Sequence, residues 1–442
     1  MSALTDLLQH GVVPAGRLTQ ALGISPQTLM RRVQAEQSSV VRIGRGRATR
    51  YGLRRVITGL GRSDLPLFRI DGMGRPDPVG RLFVLAGNQT AWMPSGVVFT
   101  GLPPEVADMQ PSGFMGRAFA NQHPDLQVPR RISDWSDEHT LVALARRGDD
   151  VPGNLVLGDE SIERWFSRAP TPVRRGDYPR LAQAATAGDP PGSSAGGERP
   201  KFGAYCEGRH FLVKFAARED SDSARRWLDL LSLEALALEV LRDGGLAAAN
   251  ASLVDTPSHR FLEVDRFDRI GERGRRAMMT LAAAYDDLSE TWARAATRLA
   301  GLRLLSTEDA RRLRLYEAFA RLIANEDRHH HNVALFPEFS GEGEDMSAEP
   351  TRYTLAPAFD QLPTLYAPTS DGQLPERELV LPTPSADTWD VWSQARNLAT
   401  TFWGRARETE SLSASMRAIA SNHWKAISDR AYGLNVRATL LE

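Results

Sequence analysis

The sequence predicts an α+β protein in which a small basic module precedes a β-rich part and a mostly helical half. Three observations support this prediction. The first sixty residues hold nine arginines against one aspartate and one glutamate, a net charge of +7. Short apolar stretches punctuated by Gly and Pro predominate between residues 65 and 157. Amphipathic stretches of helical period predominate beyond Gly271.

Length and composition narrow the class of protein. A chain of 442 residues predicts two or three domains. The formal net charge of −1 means that attraction to nucleic acid would need a local basic patch. The single cysteine, Cys206, excludes an internal disulfide framework and a cysteine-based zinc site. We find neither a signal peptide nor a run of eighteen apolar residues, so we expect a cytoplasmic protein that does not span a membrane.

Residues 1–60 are predicted to form a winged helix-turn-helix. "PAGRLTQALG" has Pro14 in a first helical turn and ends at Gly23, and "SPQTLMRRVQAE" begins with Ser25 as N-cap. A tight "GIS" turn joins these two helices, and the basic hairpin "SVVRIGRGRATRYGL" follows as a wing. DNA contact is the favoured role, with a protein-binding surface as the alternative. The residues expected to contact DNA are Gln27, Thr28, Arg31 and Arg32 on the second helix and Arg45 and Arg47 on the wing.

The middle of the chain is predicted from local pattern alone. "LPLFRI", "GRLFVLA" and "GVVFTGL" are predicted strands, and "DWSDEHTLVALARRG" is a predicted helix capped by Ser136. Residues 169–200 are rich in Pro, Gly, Ala and Ser and are predicted to be a mobile loop. A strand "GRHFLVKFA", a long helix "SARRWLDLLSLEALALEVLRDGG" and a strand "HRFLEVDRFDRI" follow. Beyond them "MTLAAAYDDLSETWARAATRLAG" is predicted to be one helix, followed by three more.

The stretch "NEDRHHHN" lies between two apolar segments, and three interpretations of it are open. The histidines could bind a metal, although adjacent residues on a loop point in different directions. The stretch could be a solvated turn. It could also be a phosphoryl-transfer loop, in which Asp327 accepts a hydroxyl proton and Asn332, five residues later, holds Mg²⁺.

Three further residues stand where phosphoryl transfer needs them. Asp360 follows the strand in "YTLAPAFDQLP", about thirty residues after Asp327. Lys214 lies in an apolar strand and Glu234 in an apolar stretch of the next helix, so each is a natural counter-charge for the other. The alternatives are an aspartate that opens a turn, a lysine that reaches solvent and a glutamate on an exposed helix face. Each signal is weak, but their order along the chain is that of a two-lobed kinase.

Five segments together resemble the HipA family of bacterial serine/threonine kinases, the toxins of a type II toxin–antitoxin system. They are "SSAGGERPKF", "HFLVKF", "EVDRFDR", "NEDRHHHN" and "LAPAFDQLP", and the pair N-x-D-x-H-x-x-N and L-x-P-x-[YF]-D is the most specific part. The resemblance covers residues 65–430 and includes "DDVPGNLVLG". The added N-terminal module resembles a branch of the family called YjjJ or HipH.

The resemblance implies a two-lobed kinase fold. The β-rich lobe would span residues 65–265, with a Gly-rich loop at 192–201, and the helical lobe residues 266–442, with the catalytic loop at 325–332. Asp327 would be the catalytic base, and Asn332 and Asp360 would be catalytic and hold Mg²⁺. The residues implied to bind ATP are Gly196, Gly197, Lys201, Lys214, Glu234, Asp265, Phe267 and His329.

The family also implies regulation and partners. A serine before the Gly-rich loop is autophosphorylated, which ejects the loop; Ser194 matches it and Ser193 is adjacent. The implied partners are ATP, Mg²⁺, a protein substrate such as a translation component, and an antitoxin. The chain departs from the family at Arg199, where glutamine is common, and in the two histidines beyond His329.

Two other classes of function stay open. The first is a DNA-binding transcriptional regulator whose kinase fold only senses nucleotide. The second is a metal-dependent nuclease that uses Asp327, His329 and Asp360 on DNA. The presence of every kinase residue favours the active kinase.

Overall fold

The computed structural model describes residues 2–186, 200–339 and 350–429. The chain forms two compact units. The first contains Met1–Thr171, Asp268–Met279 and Pro337–Arg352, and the second contains Pro172–Phe267, Thr280–Phe336 and Tyr353–Glu442. These units do not follow the lobe boundaries expected from the sequence, and the division into lobes stays a prediction. Among the described residues, no helix is long and apolar enough to cross a membrane.

The first sixty residues fold into three helices and a small antiparallel sheet in the order β1-β3-β2. Gly23 ends the second helix with φ of 62°, and Ser25 caps the third by accepting the N–H of Thr28, both as predicted. Leu18, Leu29 and Tyr51 are buried in its core. The elements are α1 (Ala3–Leu7), β1 (Val13–Pro14), α2 (Ala15–Leu22), α3 (Pro26–Ala35), β2 (Val40–Ile43) and β3 (Arg50–Leu53).

A five-stranded antiparallel sheet follows, in the order β7-β6-β5-β4-β8. Its strands are β4 (Asp64–Ile70), β5 (Pro76–Leu85), β6 (Gln89–Met93), β7 (Val97–Thr100) and β8 (Leu155–Leu157). Ser136 caps α6 as predicted, whereas α4 and α5 were not predicted. The helices of this part are α4 (Pro104–Asp108), α5 (Gly113–Gln122), α6 (Asp137–Arg147) and α7 (Asp159–Ser167).

The N-terminal module and this sheet share one hydrophobic core. Val41 and Ile43 of β2 are buried in the same cluster as Phe83 and Leu85 of β5. The backbone N–H of Val12 donates to Oε1 of Gln89 at 2.7 Å, and Arg50 donates to the carbonyl of Gly96 at 2.8 Å. Because both hydrogen bonds and apolar packing join them, residues 1–60 are held firmly to the sheet rather than tethered to it.

The second unit begins with a helix that the sequence did not predict. α8 (Tyr178–Thr186) lies inside the stretch 169–200, which was expected to be a loop. Tyr178 is fully buried against the rings of Phe202 and Phe261, and its hydroxyl donates to Glu263 at 2.6 Å. Tertiary packing therefore outweighs the loop-like composition of this stretch. Residues 187–199 lie outside the described part of the chain.

A four-stranded antiparallel sheet in the order β11-β12-β10-β9 has a helix against each face. Phe211, Val213 and Phe261 share a core with Tyr178 of α8. On the opposite face, Leu262 and Leu231 share a core that includes α9. The elements are β9 (Lys201–Cys206), β10 (Arg209–Ala217), α9 (Asp222–Asp243), β11 (Ala251–Asp255) and β12 (His259–Asp265).

The rest of the second unit is mostly helical, and the prediction of one helix across residues 279–301 is wrong. The side chain of Asp287 accepts the backbone N–H of Ser289 at 3.0 Å, a turn that competes with helix, and Thr291 caps a new helix. The elements are β13 (Arg269–Ile270), β14 (Gly274–Arg275), β15 (Met279–Thr280), α10 (Leu281–Ala284), α11 (Trp292–Gly301), α12 (Thr307–Leu322), β16 (Ala334–Glu338), β17 (Arg352–Leu355), α13 (Trp389–Glu408) and α14 (Ala414–Asp429), of which β13 and β14 lie in the first unit.

His423 in this helical core gives stability a pH dependence. Its ring stacks on Trp403 with centroids 4.2 Å apart, and Nε2 lies 2.6 Å from the hydroxyl of Tyr366. Burial lowers the pKa of His423 from 6.5 to about 4. Between pH 6.5 and about 4, the imidazole is protonated in the unfolded chain but not in the folded protein. The free energy of unfolding therefore decreases as pH falls through this range.

We expect His423→Phe to remove this dependence. The free energy of unfolding of the natural protein should fall between pH 6.5 and 4 by at most roughly 3 kcal/mol from this one group. Urea titrations at a series of pH values measure it. His423→Phe should flatten the slope, whereas Tyr366→Phe should lower stability and keep the slope. An unchanged slope in His423→Phe would show that another group is responsible.

Candidate active site

A buried ion pair joins the sheet and the long helix of the second unit. Lys214 of β10 places Nζ 2.7 and 2.9 Å from the two carboxylate oxygens of Glu234 on α9. The side chains are 5% and 0% exposed, so neither charge reaches bulk water. The predicted pairing of these residues is confirmed, and a lysine that reaches solvent is excluded. Such a pair is stable only when both partners are present.

Asp360 brings a second carboxylate to the same ammonium group. Its Oδ1 lies 2.5 Å from Nζ of Lys214, and a quarter of its side chain is exposed. Burial opposes ionisation of both groups. The carboxylates of Asp360 and Glu234 nevertheless hold the pKa of Lys214 above its usual value. Lys214 and Lys201 likewise hold the pKa of Asp360 below its usual value. Lys214 and Asp360 are therefore charged at neutral pH, whereas burial raises the pKa of Glu234 above its usual value.

The backbone at Asp360 has an uncommon conformation. Its φ of 55° lies in the left-handed region, where aspartate is tolerated better than most residues. Asn325 donates from Nδ2 to the carbonyl of Asp360 at 3.3 Å. This contact ties the turn at Asp360 to the start of the loop that carries Asp327.

Side chains within the loop 325–332 fix its shape. Oδ1 of Asn325, a residue with no exposed surface, accepts the backbone N–H of Asp327 at 2.9 Å and the hydroxyl of Thr364 at 3.1 Å. Asn332 donates to the carbonyl of Asp327 at 2.8 Å. The Asp327 carboxylate is 58% exposed and lies 3.5 Å from Nε2 of His329. Asp327 thus presents an exposed carboxylate from a loop that is held by internal hydrogen bonds.

The three histidines have different surroundings. His329 and His331 are exposed, whereas His330 is buried and its Nε2 lies 2.8 Å from the carbonyl of Glu290. Within the described ranges, no group of three or more His, Cys, Asp or Glu side chains is arranged to hold a metal ion.

Asn332 lines one small pocket, and the two residues that flank Asp360 line the same pocket. Asn332, Phe359 and Gln361 line it together with Trp292 and Tyr316. Amide and carboxylate oxygens are the ligands that Mg²⁺ prefers, so Asn332 and Asp360 fit a magnesium site. Lys214, in contact with Asp360, fits the phosphates of a nucleotide.

The other predicted residues fall into three groups. Lys201 pairs with Lys214 across β9 and β10 and is half-buried. Asp265 ends β12 with its side chain on the face opposite Lys214, because Lys214 pairs with Leu262 and side chains alternate along a strand. Ring contacts of 5.9 and 5.8 Å connect Phe267 to Phe336 and Phe359. The predictions at Gly196, Gly197, Ser193 and Ser194 lie outside the described residues.

Sequence reasoning missed two residues that shape the site. Asn325 was visible only as the first letter of the family motif, with no role given to it. Trp292 was placed inside a predicted helix, yet its indole N–H donates to the carbonyl of His329 at 3.1 Å. No local signal in the sequence marks that contact.

Removal of one charge from the buried pair should destabilise the protein. We expect Lys214→Met to lower the free energy of unfolding by about 3–5 kcal/mol, because Glu234 is left as a buried, uncompensated charge. The double variant Lys214→Met/Glu234→Leu should regain most of the lost free energy of unfolding. Arg405→Met removes exposed ion pairs with Glu239 and Asp243 and should change stability by less than about 1 kcal/mol. Urea unfolding measures all three, and equal losses in the two single variants would contradict the account.

Two family models match separate parts of this chain. Residues 61–166 match the family described as "YjjJ-like toxin, middle domain", and residues 193–431 match "HipA-like C-terminal domain". A curated relative, "Toxin YjjJ" of Escherichia coli (strain K12), is 33% identical over 444 residues, which covers 95% of this chain and 96% of the relative.

Two solved structures are similar at lower levels. One is a complex of HipA, HipB and operator DNA from Shewanella oneidensis MR-1, with 14% identity, a TM-score of 0.48 and coverage of 82% of this chain and 95% of that one. The other is the Helicobacter pylori proinflammatory kinase CtkA, with 12% identity, a TM-score of 0.34 and coverage of 52% and 87%. These TM-scores are too low to establish a shared fold. The two family matches and the 33% identity to a relative over 95% of the chain establish the family without them. The chain belongs to the HipA-like toxin family, in its YjjJ-type branch.

Proposed function

We propose that this protein is an ATP-dependent serine/threonine protein kinase that acts as a toxin in a type II toxin–antitoxin-like system. The observation that carries the proposal is the position of Lys214, whose ammonium group bonds Glu234 and Asp360 at once. Kinases hold a nucleoside triphosphate with a lysine on a strand, a glutamate on a helix and an aspartate that follows a strand, and these three residues are in contact here. The loop with Asp327 and Asn332 would bind the hydroxyl group that receives the phosphoryl group.

Each residue has a role that its environment supports. Glu234 keeps Lys214 extended along the site, where the ammonium group binds the ATP phosphates. The exposed carboxylate of Asp327 aligns a serine or threonine hydroxyl and accepts its proton. Asn332 and Asp360 provide the oxygens for Mg²⁺, which when bound neutralises charge on the phosphates. The new bond forms between the hydroxyl oxygen and the γ-phosphorus, and ADP leaves with the electrons of the broken bond.

The regulation and the partners that we propose rest on what the family resemblance implies. We propose that the Gly-rich loop 192–201 covers the phosphates through Gly196, Gly197 and Lys201. Phosphorylation at Ser194 or Ser193 would eject that loop, because a dianion there repels the ATP phosphates. A translation component is the proposed substrate, a separate antitoxin the proposed inhibitor, and the cytoplasm the proposed compartment.

Transfer of label from γ-labelled ATP in the presence of Mg²⁺ tests the kinase proposal. We expect Asp327→Asn and Asp360→Asn to reduce transfer about a thousandfold or more, a loss of several kcal/mol of transition-state stabilisation. The exposed Asp243→Asn variant, which affects only a surface ion pair, should transfer as well as the natural protein. Transfer that persists without Asp327 would contradict the proposal. Mg²⁺-dependent DNA cleavage that is lost with the same carboxylates would support a nuclease instead.

We also propose that residues 1–60 are a winged helix-turn-helix that binds DNA. α2 and α3 are separated by a tight turn, and the hairpin of β2 and β3 follows. Gln27, Arg31, Arg32, Arg45 and Arg47 are exposed, whereas Thr28 is half-buried. None of these four arginines forms an ion pair with a carboxylate in the described parts of the chain, so their charges are available to phosphates.

DNA binding should depend on salt and on these arginines. Replacement of Arg45 and Arg47 by Ala should weaken binding to any duplex and reduce the slope of log affinity against log salt by about one unit for each lost phosphate contact. Arg225→Ala, in a surface ion pair of the second unit, is the control. Fluorescence anisotropy at several salt concentrations measures the slope. An unchanged slope would favour a protein-binding module, and DNA binding without phosphoryl transfer would favour a nucleotide-sensing regulator.

A further inference from the structure

The second histidine of the "HHH" run differs from its neighbours. His330 is 3% exposed, although it lies on the loop that carries the exposed Asp327. Its Nε2 is 2.8 Å from the carbonyl oxygen of Glu290. A carbonyl can only accept, so Nε2 carries the proton. In the described part of the chain, Nδ1 has no hydrogen-bond partner. A buried imidazole nitrogen without a hydrogen-bond partner lowers the stability of the fold, so the position of His330 calls for an explanation.

Trp292 holds the adjacent residue of the same loop. Its side chain is 1% exposed, and its indole N–H donates to the carbonyl of His329 at 3.1 Å. The first turn of α11, which carries Trp292, is held by a hydrogen bond to α12. The buried carboxylate of Glu317 on α12 accepts the N–H of Ala293 at 2.6 Å. The segment 290–293 is therefore a fixed support beneath the loop.

The two contacts fall between the two residues that the reaction needs. His329 and His330 lie midway between Asp327 and Asn332 along the chain, and Asn332 bonds the carbonyl of Asp327 at 2.8 Å. A shift of the backbone at either histidine would move the Asp327 carboxylate and the Asn332 amide together. Catalytic groups misplaced by about 1 Å lose on the order of a hundredfold in rate.

We propose that His330 and Trp292 are positioning residues that set the catalytic loop against the segment 290–293. This inference rests on the proposed kinase function and deepens it. Neither side chain shows a contact with Lys214 or Glu234 among the described residues. We therefore expect loss of either contact to affect the transfer step and the metal requirement more than metal-free nucleotide binding.

Four variants of the full-length protein separate this role from simple packing. Trp292→Phe removes the indole N–H together with the five-membered ring, and Trp389→Phe makes the same change at a tryptophan that is 56% exposed. His330→Leu removes the donor, whereas His330→Gln keeps an N–H that can reach the carbonyl of Glu290. Label transfer from ATP gives kcat, isothermal titration without metal gives ATP affinity, and the Mg²⁺ concentration for half-maximal transfer reports on Asn332.

We expect Trp292→Phe and His330→Leu to lower kcat about tenfold or more, to raise the Mg²⁺ requirement, and to keep metal-free ATP affinity within about twofold. His330→Gln should restore much of kcat, and Trp389→Phe should match the natural protein. Equal losses of kcat and ATP affinity, or no rescue by glutamine, would overturn the inference and leave the kinase proposal intact.

The kinase proposal fails instead if the natural protein transfers no phosphate. The inference is then judged on thermal unfolding with ATP, because a bound ligand raises the unfolding temperature. The Mg²⁺ concentration at which ATP stabilisation is half-maximal should still rise in Trp292→Phe and His330→Leu. An unchanged value in both variants would overturn it.

Discussion

The chemistry of the second unit depends on one buried ammonium group. Lys214 is compensated by two carboxylates that come from distant parts of the chain, Glu234 on α9 and Asp360 after β17. Burial of any one of these charges alone would be unfavourable, so the three residues stabilise one another only in this arrangement. The interaction also holds the turn at Asp360, whose neighbours Phe359 and Gln361 line one small pocket with Asn332.

Local physical rules were enough to predict several parts of this arrangement. A lysine inside an apolar strand needs an anion, and Glu234, in an apolar stretch of the next helix, was a clear choice. The caps at Ser25 and Ser136 followed from the preferences of serine at helix N-termini. The order of the weak signals along the chain was more informative than any one of them.

Contacts between distant residues could not be predicted in this way. The composition of residues 169–200 predicts a loop, but burial of Tyr178 makes part of it a helix. The break before α11 comes from a side-chain turn at Asp287, which a window of helical periodicity does not register. The bond from Trp292 to the histidine loop joins residues 37 apart and has no local signature. The shared core of the N-terminal module and the five-stranded sheet was invisible for the same reason.

The central claim is that Lys214, Asn332 and Asp360 surround one magnesium–nucleotide site. A crystal structure with Mn²⁺ and a non-hydrolysable ATP analogue tests it most directly, since the anomalous signal locates the ion. The account predicts a peak about 2 Å from oxygens of Asn332 and Asp360, with Lys214 on the phosphates and still paired with Glu234. A peak elsewhere, or a nucleotide bound away from Lys214, would contradict it.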